Sequence, residues 1–378
     1  MKARMRMIFA GIVCIILGSV LFVGCSAANG FDWSKLSTER YEEKSYTVEQ
    51  AFKNITVEDD TSDVKILPAT DGVSKIVYSE SKHIVYSISV DGDALNIKKV
   101  DNRQWYHHIG FDFSSPDLIL YLSETAYNDA NISLSTGDVT LQEGFSFESL
   151  RIRASTGDVS LSAAVAGDLN VGASTGHLSV SNTSAASARI TVSTGDIKVS
   201  GLTLSGDLYA SSSTGNQSFI GVTCKNATFI SSTGDKVVSS LNASGNLVAD
   251  SDTGDQSYEN VACADAIIKT SSGHQTYTNF SCASVQLRAN TGKINATNLI
   301  ASGHFSAETS TGDITLERCD AATLAIIADT GNVNGTLLSP KIFYAHADTG
   351  KINVPHSTEG GLCEVTTDTG DIRFTIVQ

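Results

Sequence analysis

Carboxylates at a fixed spacing are the residues of this chain that could do chemistry. Asp138, Asp158, Asp196, Asp235, Asp255, Asp313 and Asp371 each follow a recurring glycine. His177, Asn216, His274, Lys293, Asn332 and Lys351 hold the same position elsewhere. Two residues before the glycine, the usual Ser gives way to Asp252, Asp329, Asp348 and Asp368. If successive units stack, these carboxylates lie one strand spacing apart, and like charges that close repel unless a cation bridges them. Asp235, Asp252 and Asp255 are the densest group and the candidate calcium ligands. The same track also mixes Lys, His and Asn, and it lacks the GGxGxD nonapeptide of calcium-binding β-rolls. Turn chemistry accounts for these residues without any cofactor.

Other constellations carry weaker signals. Carboxylates on the outside of a stacked fold could serve a polysaccharide-active enzyme. Here they sit on a repeating corner, no long insertion interrupts the repeat, and aromatics make up only 7% of the chain. No catalytic residue is expected. Trp105, Tyr106, His107 and His108 form the most distinctive non-repeat stretch. Adjacent histidines in a strand point to opposite faces and are poor joint ligands. Cys224, Cys263, Cys282, Cys319 and Cys363 lack CxxC spacing. Cys224, Cys263 and Cys282 share a phase held elsewhere by Ala, so they read as small core residues. Cys263 and Cys282 fall in neighbouring units, close enough for a disulfide.

The element that positions these groups is a short repeat. A Thr-Gly pair or close variant recurs thirteen times, from Gly137 to Gly370, every 19 or 20 residues. So short a period means a stacked solenoid, in which no unit buries its apolar face alone. Positions seven, five and three before each glycine are apolar or small, as in Leu150, Ile152 and Ala154. Positions two and four after it repeat the pattern, as in Ile197 and Val199. Period two means strands with one face inward. Three corners recur: the glycine itself; a second, often Asn or Gly, at Asn182, Gly201, Gly221, Asn260, Asn279 and Asn298; and, in several coils, a third at Gly167, Gly206, Gly245 and Gly303. The expected fold is all-β, a parallel β-helix of about thirteen coils, three-sided, with a two-sided solenoid as the alternative. Twelve intervals at about 4.8 Å give a rod of roughly 60 Å.

Composition bounds the partners. The net charge of −15 disfavours nucleic acid, whose backbone needs clustered Lys and Arg. Residues 1–25 differ in chemistry: Lys2, Arg4 and Arg6 precede an uncharged apolar run from Met7 to Cys25. Such a run can span a bilayer as one helix, with the basic flank inside and the rod outside. A cleaved signal peptide is the rival reading. A lipoprotein is the third, with Val23-Gly24-Cys25 as lipidation box and Cys25 as the acceptor. All three place the rod on the extracytoplasmic side.

The chain divides into the anchor (1–25), a polar stalk (26–50), a β-rich cap with a degenerate first coil (51–130) and the solenoid repeats (131–378). In that first coil Ser62 replaces the glycine. Asp91-Gly92-Asp93 marks a hairpin turn. Ile372, Phe374 and Ile376 continue the alternation to the C-terminus, so an open last coil is expected there, free to pair with a second copy.

The N-terminal apolar segment, the Thr-Ser-Asp-Val-Lys-Ile run at 61–66, and the Ser-Thr-Gly-Asp-[Val/Ile] units at 135–139, 155–159, 193–197 and 310–314 resemble the bacterial putative-adhesin family of β-strand-repeat envelope proteins. That resemblance covers nearly the whole chain. It implies the architecture and an adhesive role, but no ligand and no catalytic position. The expected function is a non-enzymatic adhesion, binding or envelope-scaffold module, with a protein or cell-wall glycan as ligand. Envelope-stress sensing beside membrane proteins is the alternative, and a polysaccharide-active enzyme a weaker one.

Overall fold

A computed structural model describes residues 40–104 and 117–377. Residues 1–39, with the expected anchor and Cys25, lie outside the described residues, as do Trp105, Tyr106, His107 and His108. Among the described residues every regular element is a strand, and no helix is long and apolar enough to cross a membrane.

One coil shows how the sequence builds the fold. In Asp168–Thr175, Leu169 and Val171 point inward, and Asn170 and Gly172 outward. The chain turns at Gly176, then runs through Leu178–Ala185. Asn182, at φ 45°, bends that second strand, so that Leu178 and Val180 line one wall and Thr183 and Ala185 the next. The coil therefore has three faces. The next coil, Ser187–Thr194 and Ile197–Leu204, stacks on it in parallel and in register, for example Leu169 on Ala188 and Leu178 on Ile197. Apolar side chains pile into one continuous core from Val48 to Phe374.

The glycine corner is stricter than a type II turn would make it. All thirteen glycines have φ between +127° and +158°. A Cβ on Gly254 would stand 2.1 Å from the carbonyl oxygen of Gly234 in the coil beneath. No side chain fits, so the repeat is fixed by steric exclusion as well as by dihedral preference. The second corner tolerates more: Ser240 and Arg318 join the expected Asn and Gly residues at φ 57° and 53°.

Both ends of the stack depart from sequence order. The degenerate coil is present, with Ser62 at the glycine position. Its strand Asn54–Asp59 lies between Ala94–Asp101 and Ala126–Thr136, so the first coil in sequence is not the outermost. Antiparallel strands close that end: Ile84–Asp91 covers Ala94–Asp101 through the expected hairpin, and Lys75–Glu80 covers Leu118–Leu122. Glu42–Thr47, inside the expected stalk, is a strand on the edge of Lys75–Glu80.

At the other end the open last coil is not where the sequence put it. Gly361–Thr369 pairs with Ile314–Thr330 on one side and Lys341–Thr349 on the other. Ile372–Ile376 is likewise flanked by Val333–Leu337 and Ile352–Asn353. The last coil is inserted, and the bare edge belongs to Lys341–Thr349. The reason is register: Thr330, Thr349 and Thr369 share one phase, so either order satisfies the same ladder. Phe343, Ala345 and Ala347 point inward but stay partly exposed, whereas their equivalents Leu324, Ile326 and Ala328 are buried.

Candidate functional site

The corner carboxylates are engaged with backbone. The amide of Asp158 donates to Asp138 Oδ1 at 2.8 Å, and that of His177 to Asp158 Oδ1 at 2.7 Å. The chain continues through His177 Nδ1, Asp196, Asn216, Asp235 and Asp255. Every Asp, Asn and His at this position accepts an amide of the neighbouring coil, which Lys293 and Lys351 cannot do. Asp313 shows the consequence: the Asn332 amide, aided by Lys293, holds its carboxyl below the usual range.

This geometry settles where the candidate calcium ligands go. Asp235 Oδ1 accepts the Asp255 amide at 2.9 Å, and Asp255 Oδ1 accepts the His274 amide at 2.7 Å. Asp252 stands exposed on the other side of the turn. Among the described residues no group of three His, Cys, Asp or Glu side chains is placed to hold a metal ion. Amide donors to Asp235 and Asp255 offset the repulsion expected between stacked carboxylates.

Cys263 and Cys282 occupy equivalent places in adjacent coils but are free thiols, as are Cys224, Cys319 and Cys363. Burial pushes the Cys263 and Cys282 thiols up to about 12, which suits small core residues and not nucleophiles.

Two polar clusters were not picked out by the sequence reading. The first lies inside the rod. Gln217, Lys236, Gln256 and Gln275 replace the apolar residue two after the glycine in four successive coils, all of them buried. Gln256 and Gln275 each donate to a carbonyl of the next coil, at 2.6 and 2.9 Å. Lys236 reaches the Asp250 carbonyl at 3.2 Å and Ser251 Oγ at 3.0 Å, with no carboxylate in contact. Burial lowers its pKa to about 7. Gln217 Oε1 beside it has no hydrogen-bond partner. The only sequence signal was a break in the apolar phase. The second cluster sits under the cap, where Lys99 bridges Asp59 at 3.4 Å, Thr61 Oγ1 at 2.6 Å and Ser62 Oγ at 2.8 Å. It ties the hairpin to the corner that lacks glycine.

A hollow of about 480 Å³ opens beside the cap, lined by Val48, Phe52, Ser74, Glu124 and Tyr127 among others. Glu124 there is ion-paired with Lys53. Further hollows of about 320, 260 and 420 Å³ lie along the rod, beside Asn128 and Ser146, beside Lys269 and Arg288, and beside Asn334 and Arg373; the strand faces between them can present side chains to a partner.

These features define a stacked β-solenoid whose polar chemistry is largely directed inward and along its own corners. The chain belongs to the Toastrack DUF4097 family, whose model matches residues 52–212 and 203–326. No curated protein matches it. Among solved structures it is similar to a "putative adhesin" from Bacteroides fragilis, at 12% identity over 89% of this chain and 97% of that one, with a TM-score of 0.21. A "putative cell adhesion protein" from Clostridium sporogenes shares 10% identity over 90% and 100%, with a TM-score of 0.20. A "putative lipid binding protein" from Parabacteroides distasonis shares 10% over 90% and 98%, with a TM-score of 0.22.

Proposed function

We propose that this chain is a non-enzymatic binding and scaffold rod, held on the outer side of a bacterial cell membrane by its N-terminal segment. The observation that carries the reading is the use of the corner track. Its carboxylates accept amides from the neighbouring coil, which supports a structural part for a row whose residue types would also suit acid-base or metal chemistry. What remains outward is a repeated strand surface. A weak contact offered on many coils sums by avidity, which suits a protein or glycan ligand with repeats of its own. Lys2, Arg4 and Arg6 before the apolar run support an N-inside anchor with the rod outside.

The test is made on the full chain in its native host. Protease shaving of intact cells should remove the rod while the N-terminal segment stays with the membrane fraction. Purified protein should be retained by isolated cell-wall material and release no new reducing ends from it. Reducing ends that grow with protein concentration would replace this reading with an enzyme. A rod protected from shaving would remove the extracytoplasmic placement.

A further inference from the structure

One face of the rod departs from the acidic character of the chain. In Ser146–Thr156 the outward side chains include Arg151 and Arg153. In register above them stand Asn170 and Gly172, then Arg189 and Thr191, then Tyr209 and Ser211. Arg151, Asn170, Arg189 and Tyr209 thus form one column. Arg151 and Arg189 lie two coils apart, about 10 Å, and Arg151 and Arg153 about 7 Å along one strand. All three arginines are exposed. Arg103, Arg288 and Arg373 are each paired with a carboxylate, whereas these three take part in no ion pair among the described residues. They do so in a chain where Asp and Glu outnumber Lys and Arg by 41 to 26. The Arg189 guanidinium lies 4.2 Å from the centre of the Tyr209 ring, which holds its plane in place. Gly172 carries no side chain between Arg153 and Thr191, and the Thr191 hydroxyl stands 3.2 Å from where its Cβ would be.

We propose that this column is a binding lane for an acidic polysaccharide, one that carries carboxylate or phosphate groups along its chain. The proposal rests on the binding-module reading and names its ligand class. Arginine presents a planar fork that matches a carboxylate or phosphate with two parallel hydrogen bonds. Asn170 offers an amide to sugar hydroxyls, and the Thr191 hydroxyl beside Gly172 offers a further polar contact. The two-coil spacing of Arg151 and Arg189 is of the order of a disaccharide repeat. Asp129, Asp168 and Asp207 border one side of the column on alternate coils, and accept hydrogen bonds from Ser149, Ser187 and Asn226 respectively. A single polymer fits beside that border. An anionic bilayer lies across both the arginines and the aspartates and is repelled by the latter.

The experiment measures binding of full-length protein to immobilised polygalacturonate, dextran sulfate and neutral dextran at low and moderate salt, beside vesicles containing phosphatidylglycerol. Wild type should bind the two acidic polymers and not dextran, more weakly as salt screens the contacts. The triple variant Arg151→Ser/Arg153→Ser/Arg189→Ser should bind on the order of tenfold more weakly, as three exposed charge contacts imply. Lys198→Ser/Lys225→Ser removes charge from elsewhere on the rod and should bind like wild type. Where the triple variant melts below wild type, single Arg→Lys variants decide: each keeps the charge, loses the fork and should bind with intermediate strength. Equal binding by wild type and triple variant overturns the lane, as does binding to vesicles alone or to neutral dextran. If wild type ignores every polymer yet is retained by isolated cell-wall material, the lane is overturned while the binding-module reading stands. If it binds neither, both fall.

Discussion

Replacing Lys236 with Gln should remove a pH dependence that the wild-type rod carries in its core. Lys236 is fully buried, and its ammonium finds only two carbonyls and the Ser251 hydroxyl. Burial brings its pKa from 10.5 to about 7. Above about pH 10.5 the amine is neutral in both the folded and the unfolded chain, and its burial costs little. As pH falls from there, the unfolded chain binds a proton that the folded chain does not, so stability drops. The loss is complete near pH 7, below which both states are protonated. At about 1.4 kcal/mol per pH unit the gap amounts to about 5 kcal/mol. Glutamine is the replacement the structure suggests. Gln256 and Gln275, two of its column neighbours, already reach the next coil's carbonyl from this position. Melting curves of full-length wild type and Lys236→Gln between about pH 7 and pH 10.5 report the effect, since other titrating groups cancel in the difference. The variant should melt well above wild type at pH 7, and the two should converge toward pH 10.5. A difference that stays constant across this window would mean that Lys236 is hydrated in the folded rod and that the burial argument is wrong. Because solenoids open locally, hydrogen exchange in the strands around 229–251 should show the same trend.

Other outcomes follow from the same geometry. Gly254→Ala places a Cβ against the Gly234 carbonyl and should cost on the order of 3 kcal/mol, whereas Gly92→Ala, with nothing within 4 Å, should cost about 1 kcal/mol in the same melts. Calcium in millimolar excess over chelator should leave the melting temperature unchanged, because the corner carboxylates already accept amides; a rise of several degrees would restore Asp235, Asp252 and Asp255 as ligands. Cys224, Cys263, Cys282, Cys319 and Cys363 should all alkylate without prior reduction once the protein is unfolded, and slowly before; a mass showing Cys263 joined to Cys282 would contradict the free thiols. The bare strand Lys341–Thr349 exposes Ile342 and Tyr344 beside unpaired backbone, so wild type should self-associate at high concentration and Ile342→Lys/Tyr344→Lys should not. A wild-type chain that sediments only as monomer would remove that edge as an interface.

The repeat by itself determined the solenoid, its glycine corner and its inward apolar residues. A glycine every 19 or 20 residues and a period-two apolar pattern are local signals, and each coil depends mainly on its nearest neighbours. The degenerate coil at Ser62 and the hairpin at Gly92 were legible for the same reason. The candidate site was legible only in part. Asp235 and Asp255 could be placed at a corner, yet whether a stacked carboxylate meets a cation or an amide depends on the vertical offset between coils. Tertiary structure decided that one oxygen of each meets the next coil's N–H. It also decided the order of the coils at both ends. Thr330, Thr349 and Thr369 share one phase, so the sequence admits the inserted order and the sequential order equally. Which strand is left bare is settled only when the coils are stacked. The arginine column likewise spans residues 151 to 189, apart in sequence, and becomes one surface because parallel register sets equivalent positions of successive coils side by side.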